Sequence, residues 1–101
     1  MSSVLSNPQK RYLRGLAHDL KPVVMVGAKG ITASLVAELE LALEQHELVK
    51  VKVAAEDRES RDAWIGELAE KASATLVSRI GHIAVYYRRS QDKPLVILPK
   101  G

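Results

Sequence analysis

Apolar residues change their spacing several times along this 101-residue chain, and each change marks an element. Leu13, Leu16, Ala17 and Leu20 recur at intervals of three and four, which predicts a helix with that stripe buried. Asn7-Pro8 ahead of it reads as an N-cap followed by proline at the first helical position. Lys10, Arg11, Arg14 and His18 fall off the stripe, so the outer surface of this helix is basic. Lys21-Pro22 closes it, because the residue before proline avoids the α region. Val23 to Val26 is an unbroken apolar run and predicts a short, fully buried strand. From Thr32, a plausible cap, Leu35, Val36, Leu39, Ala42 and Leu43 return to helical spacing, with Glu38, Glu40, Glu44 and Glu47 giving an acidic exterior. Leu48 to Val53 then alternates, with Val49, Val51 and Val53 on one face and Lys50 and Lys52 on the other.

A polar stretch over 56–60 leads into a third helix with Trp64, Ile65, Leu68, Ala69 and Ala72 inward. Thr75 to Ile80 and Ile83 to Arg88 are β-rich runs separated by Gly81-His82, a two-residue hairpin signal. Tyr86 and Tyr87 fall on opposite faces, so one is expected in the core and the other in solvent. Leu95 to Leu98, between Pro94 and Pro99, is expected as an edge strand. The order is α-β-α-β-α-β-β within a single domain, 1–101. It predicts an α/β fold with a mixed four-stranded sheet packed with three helices: parallel strands across each β-α-β crossover and a closing antiparallel hairpin.

Composition narrows the chemistry. The chain has no cysteine, which removes disulfides, thiolate nucleophiles and cysteine-based zinc sites. Aromatic residues are only 4% of the chain, so the core must be mainly Val, Leu, Ile and Ala. The N-terminus lacks the basic and apolar regions of a secretion signal, and no apolar run reaches membrane-spanning length, so a cytoplasmic location is expected. The net charge of +3 is unevenly spread. Residues 1–30 hold Lys10, Arg11, Arg14, Lys21 and Lys29 against Asp19 alone; residues 79–101 hold Arg79, Arg88, Arg89, Lys93 and Lys100 against Asp92 alone. The middle carries twice as many acidic as basic residues. If the two ends meet in space they form one basic face, suited to a polyphosphate chain.

The tetrapeptide Gly27-Ala28-Lys29-Gly30 sits between the first strand and the second helix. Glycine admits positive φ and lets a large ligand approach the backbone. The helix that follows offers unpaired amides and the positive end of its dipole, and Lys29 adds a full charge. A GxxG loop in this position has the parts needed to clamp a nucleic-acid backbone.

Four segments together resemble the CRM domain, the chloroplast RNA splicing and ribosome maturation family, and within it the stand-alone bacterial YhbY-type members. They are Leu13-Arg14-Gly15-Leu16-Ala17 through Lys21-Pro22-Val23-Val24; Gly27-Ala28-Lys29-Gly30; His46-Glu47-Leu48-Val49-Lys50-Val51-Lys52-Val53; and Gly81 through Tyr87-Arg88. The resemblance implies a fold similar to the C-terminal domain of translation initiation factor three. It implies RNA binding without catalysis, in association with precursors of the large ribosomal subunit. By that resemblance Gly27, Ala28, Lys29 and Gly30 are the RNA-contacting loop, Lys10, Arg11 and Arg14 support it, and Arg88 matches the Tyr-Arg ending of the last strand. His82 stands where the family commonly has lysine or arginine, and Arg89 where proline is frequent.

Other chemistries find little support. His18, His46 and His82 lie on three elements without metal-ligand spacing, no Walker motif is present, and no cofactor is expected. His46 and Glu47 are expected to cap the second helix. The rival reading is a protein-interaction module that docks a basic ribosomal protein on the acidic second helix. The expected state is a monomer, and Lys29→Glu or Gly30→Asp is expected to weaken RNA binding with the fold intact.

Overall fold

The computed structural model describes residues 5–27 and 29–89. Seven elements follow in the expected order: α1 (Asn7–Ala17), β1 (Val24–Val26), α2 (Ala33–His46), β2 (Leu48–Val53), α3 (Arg58–Lys71), β3 (Thr75–Ile80) and β4 (Ile83–Tyr87). The expected strand over Leu95 to Leu98 lies outside the described residues, as does Ala28. The strands form one mixed sheet in the order β1-β2-β4-β3. β1 and β2 are parallel, whereas β4 runs antiparallel to both β2 and β3. The three helices and the mixed four-stranded sheet are therefore as the pattern predicted. What the pattern did not give is the insertion of β4 between β2 and β3.

The caps explain where the helices begin. Ser6, not Asn7, is the N-cap of α1: its hydroxyl accepts from the Gln9 amide, while the Gln9 side chain accepts from the Ser6 amide. This reciprocal pair satisfies two orphan donors and moves Asn7-Pro8 inside the first turn. Thr32 caps α2 as expected, accepting from Leu35 N at 3.1 Å. Asp57 caps α3 through the Ser60 amide, and that hydrogen bond holds its carboxyl below the ordinary carboxylate value. α2 ends at Glu47, which takes φ 61° and donates its amide to Leu43 O; its side chain is fully buried.

Two hydrophobic cores lie on opposite faces of the sheet. Val24, Val26, Val49, Val51, Val53, Ala84 and Tyr86 meet Leu35, Leu39 and Leu43 of α2 and Ile65 and Leu68 of α3. On the other face Leu13 and Ala17 of α1 meet Leu48, Val77, Val85 and Tyr87. Both tyrosines are consequently buried, contrary to the expected split, because the strand they share is covered on both sides. Tyr86 donates its hydroxyl to Ile65 O at 2.8 Å, whereas the Tyr87 hydroxyl is buried without a partner among the described residues. The stripe predicted for α1 is only half buried. Leu16 stays 40% exposed, since α1 rests on the sheet through Leu13 and Ala17; the helix ends at Ala17 rather than at Lys21-Pro22, so Leu20, 39% exposed, lies beyond it.

Candidate nucleic-acid interface

The carboxyl ends of β1 and β2 and the β3–β4 turn share one end of the sheet, and the glycine loop stands there. Gly30 N donates to Gly27 O at 3.0 Å, closing a four-residue turn directly after β1. The two glycines have different reasons to be glycine. Gly30 adopts φ +76°, and a Cβ there would lie 3.0 Å from Cζ2 and 3.1 Å from Cε2 of Trp64. Gly27 has no positive φ, and a Cβ there would meet nothing within 4 Å. So the expectation that both glycines supply positive φ holds for Gly30 only. The expectation that Gly30→Asp would leave the fold intact is also corrected: any side chain at that position is strained in its backbone and collides with an indole.

Spacing puts Trp64 on the inner side of α3 but does not put it behind the loop. Its ring forms the floor on which Gly30 rests, so α3 fixes the height of a turn carried by β1 and α2. The only sequence signal was the coincidence of the chain's single tryptophan with a glycine that its neighbour needs small. Lys29 projects from this turn and is exposed. After it, the Thr32 cap takes up Leu35 N, which leaves the amides of Ala33 and Ser34 without acceptors among the described residues.

Charge pairing divides the molecule. The ion pairs among the described residues are Lys71–Glu67 at 3.0 Å, Arg79–Asp62, and Arg88–Glu44 at 3.8 Å. All involve α3 or α2. Lys10, Arg11 and Arg14 on α1, Lys29 in the loop and Lys52 on β2 have no acidic partner within that range among the described residues. On a helical wheel Lys10, Arg11 and Arg14 occupy one flank of α1, with Tyr12 and Leu16 on the other. That flank belongs to the helix on the sheet face opposite α2 and α3, whose core contacts are Leu48, Val77, Val85 and Tyr87. Lys10 is half-buried and the two arginines are exposed.

Arg88 does not belong with this group. Its guanidinium donates to Ala72 O at 2.9 Å and Glu40 O at 3.4 Å, and its amide donates to Glu47 O at 3.0 Å. It ties the carboxyl end of α3 to α2 at the end of the sheet away from the loop. The structure does not bring Arg88 to the loop residues: two of its guanidinium N–H groups are given to backbone carbonyls, and Glu44 lies 3.8 Å away. Lys50 is likewise engaged, reaching Leu20 O at 3.1 Å, while Lys52 stands exposed. Near the loop end, His82 Nδ1 lies 3.1 Å from Val53 O, and Arg61 Nη1 lies 3.4 Å from both ring nitrogens. That contact binds the hairpin turn to α3. The described residues contain no group of three or more His, Asp or Glu side chains placed to hold a metal.

The chain is 49% identical over 90 residues to a Haemophilus influenzae protein named "RNA-binding protein", covering 89% of this chain and 91% of that one. It is 33% identical over 96 residues to a Bacillus subtilis protein, "Probable RNA-binding protein YqeI", covering 95% and 100%. The fold is similar to the solution structure of the hypothetical protein SAV1595 from Staphylococcus aureus, with a TM-score of 0.82 and 34% identity over 95% of this chain and 100% of that one. The family model of the CRS1 / YhbY (CRM) domain matches residues 5–88, which takes in every element from α1 to β4, and the chain belongs to that family.

Proposed function

We propose that this protein binds RNA through the Gly27–Gly30 turn and acts, without catalysis, on precursors of the large ribosomal subunit. The observation that carries the reading is the exposed Lys29 in the turn beside the first amides of α2, with no carboxylate in ion-pair range of Lys29 among the described residues. An RNA phosphate is the ligand such a corner is chemically suited to, through charge-assisted hydrogen bonds and counterion release. Gly27 allows the sugar-phosphate chain to approach the turn closely, and Gly30, seated on Trp64, keeps the turn rigid. Lys10, Arg11 and Arg14 extend the positive field along α1 and steer the polyanion. Ala28 completes the loop by sequence. The names of the relatives support RNA as the partner, and the precursor particle is what the resemblance read from the sequence implies. A cytoplasmic monomer is the form in which this role is expected.

The rival docking role of the acidic α2 would rest on Glu38 and Glu44, which are exposed, more than on Glu40 and Glu47. Glu44 pairs with Arg88, Glu47 is buried, and Glu40 is half-buried. Ultraviolet crosslinking in growing cells, followed by sequencing of the attached RNA, tests the proposal. Enrichment of unprocessed large-subunit RNA over mature ribosomal RNA is expected. Recovery of mature and precursor RNA in proportion to their abundance would reject the assembly role, and absence of any RNA crosslink would reject RNA binding.

A further inference from the structure

Four residues at the same level of the sheet form a straight row on its α1 face. Met25 of β1 is opposite Lys52 of β2, Lys52 is opposite Ile83 of β4, and Ile83 is opposite Ile80 of β3. Paired residues point to the same face, so all four side chains share one side of the sheet. It is the side away from α2 and α3, because Val24, Val26, Val51, Val53 and Ala84, their neighbours along the strands, enter the other core. α1 covers this face only farther down, over Leu48, Val77, Val85 and Tyr87. The row is left open: Met25 is 61% exposed, Ile80 is 78% exposed, and Lys52 is exposed between them. Four strands at ordinary spacing make it about 14 Å long.

Position and charge decide what suits this row. Met25 is two residues before Gly27, so the row begins directly below the turn proposed to hold the RNA backbone. No strand carries an acidic residue on this face, and Lys52 has no acidic partner among the described residues. A ledge of aliphatic side chains interrupted by one unpaired ammonium fits a ligand with flat apolar faces on an anionic chain. In duplex RNA the base faces are hidden within the stack, whereas in an unpaired segment they are available. We infer that the row Met25, Lys52, Ile83 and Ile80 receives the bases of an unpaired RNA segment whose backbone is held at the Gly27–Gly30 turn, which makes single-stranded RNA the preferred ligand. This rests on the RNA-binding reading of the turn and adds the class of RNA to it. Met25 and Ile80, at the two edges of the sheet, flank the segment; Lys52 pairs with a phosphate between bases.

The test uses the full chain, an unstructured 12-nucleotide RNA, and the same RNA annealed to its complement, with affinity read by fluorescence anisotropy. Met25→Ser and Ile80→Ser change exposed side chains and remove no charge. Each is expected to lower affinity for the single strand roughly five- to tenfold, while duplex affinity and the salt dependence stay as in the parent. Methyl NMR signals of Met25, Ile80 and Ile83 are expected to shift on adding the single strand. Unchanged single-strand affinity in both variants, or equal parental affinity for single strand and duplex, would overturn the ledge and leave the turn as an RNA clamp. Methyl shifts that track protein concentration without RNA would assign the face to a second copy of the chain and also overturn it. Failure of the parent to bind either RNA would instead remove the reading beneath it.

Discussion

Replacing Gly27 and Gly30 one at a time with alanine should have opposite effects, because their environments differ. At Gly30 the backbone must hold φ +76°, which costs an L-residue about 1–2 kcal/mol. Its Cβ would also press against the Trp64 ring at 3.0 Å, and overpacking of this kind costs about 1–3 kcal/mol. The lower entropy of the unfolded alanine chain offsets about 0.4–1 kcal/mol. The net loss is roughly 2–4 kcal/mol, a fall in Tm of roughly 10–20 °C for a domain of this size. At Gly27 neither penalty applies, so only the unfolded-state gain remains and Tm should hold or rise by a few degrees. Circular dichroism melts measure both. RNA binding should reverse the order of interest: Gly27→Ala, stable and folded, is expected to bind RNA roughly tenfold more weakly because its new methyl stands where the backbone would approach. A Gly30→Ala protein that melts with the parent would refute the steric argument. A Gly27→Ala protein that binds RNA like the parent would refute the claim that this glycine is there for the ligand.

Further outcomes follow from the same geometry. Tyr86→Phe removes a buried hydrogen bond to Ile65 O and should cost about 1 kcal/mol, whereas Tyr87→Phe removes a buried hydroxyl with no described partner and should be neutral or stabilising; chemical denaturation of the two variants measures the contrast. Arg88→Ala should cost about 2 kcal/mol through the lost bonds to Ala72 O and Glu40 O, yet leave the affinity of the remaining folded protein for RNA unchanged. Asp57, its carboxyl held low by the Ser60 amide, stabilises α3 only while ionised. The Tm gap between the parent and Asp57→Ala should therefore be full at neutral pH and close as pH falls below the ordinary value of 3.8.

Much of this protein was legible from residue order because its local signals agree with one another. The alternation of Val49, Val51 and Val53 against Lys50 and Lys52 matches their observed faces, and Gly81, at φ +57°, turns the predicted hairpin. What stayed hidden depends on contacts distant in sequence. Periodicity puts Leu16 and Leu20 on the apolar stripe; it does not show that α1 meets the sheet on a narrow line and leaves Leu16 at the surface, or that the helix stops at Ala17, before Leu20. Alternation puts Tyr86 and Tyr87 on opposite faces, but only the placement of α1 shows that both faces are covered. Arg88 followed the basic bias of its neighbourhood in the sequence, while the middle of α2 and the end of α3 supplied carbonyls that two of its N–H groups reach. The candidate site divides in the same way. Its turn, its lysine and the cap at Thr32 are contiguous and could be read; the Trp64 floor is 34 residues from Gly30 and needed the fold.

The proposed function requires cations at one end of the sheet, without acidic partners among the described residues, to hold an RNA backbone. Affinity of the parent and of Lys29→Glu for a large-subunit ribosomal RNA fragment, measured across a range of salt concentrations, tests it most directly. The parent should weaken steeply and linearly on a logarithmic plot, and the variant should bind far more weakly with a shallower slope. Identical affinities and slopes for the two proteins would contradict it.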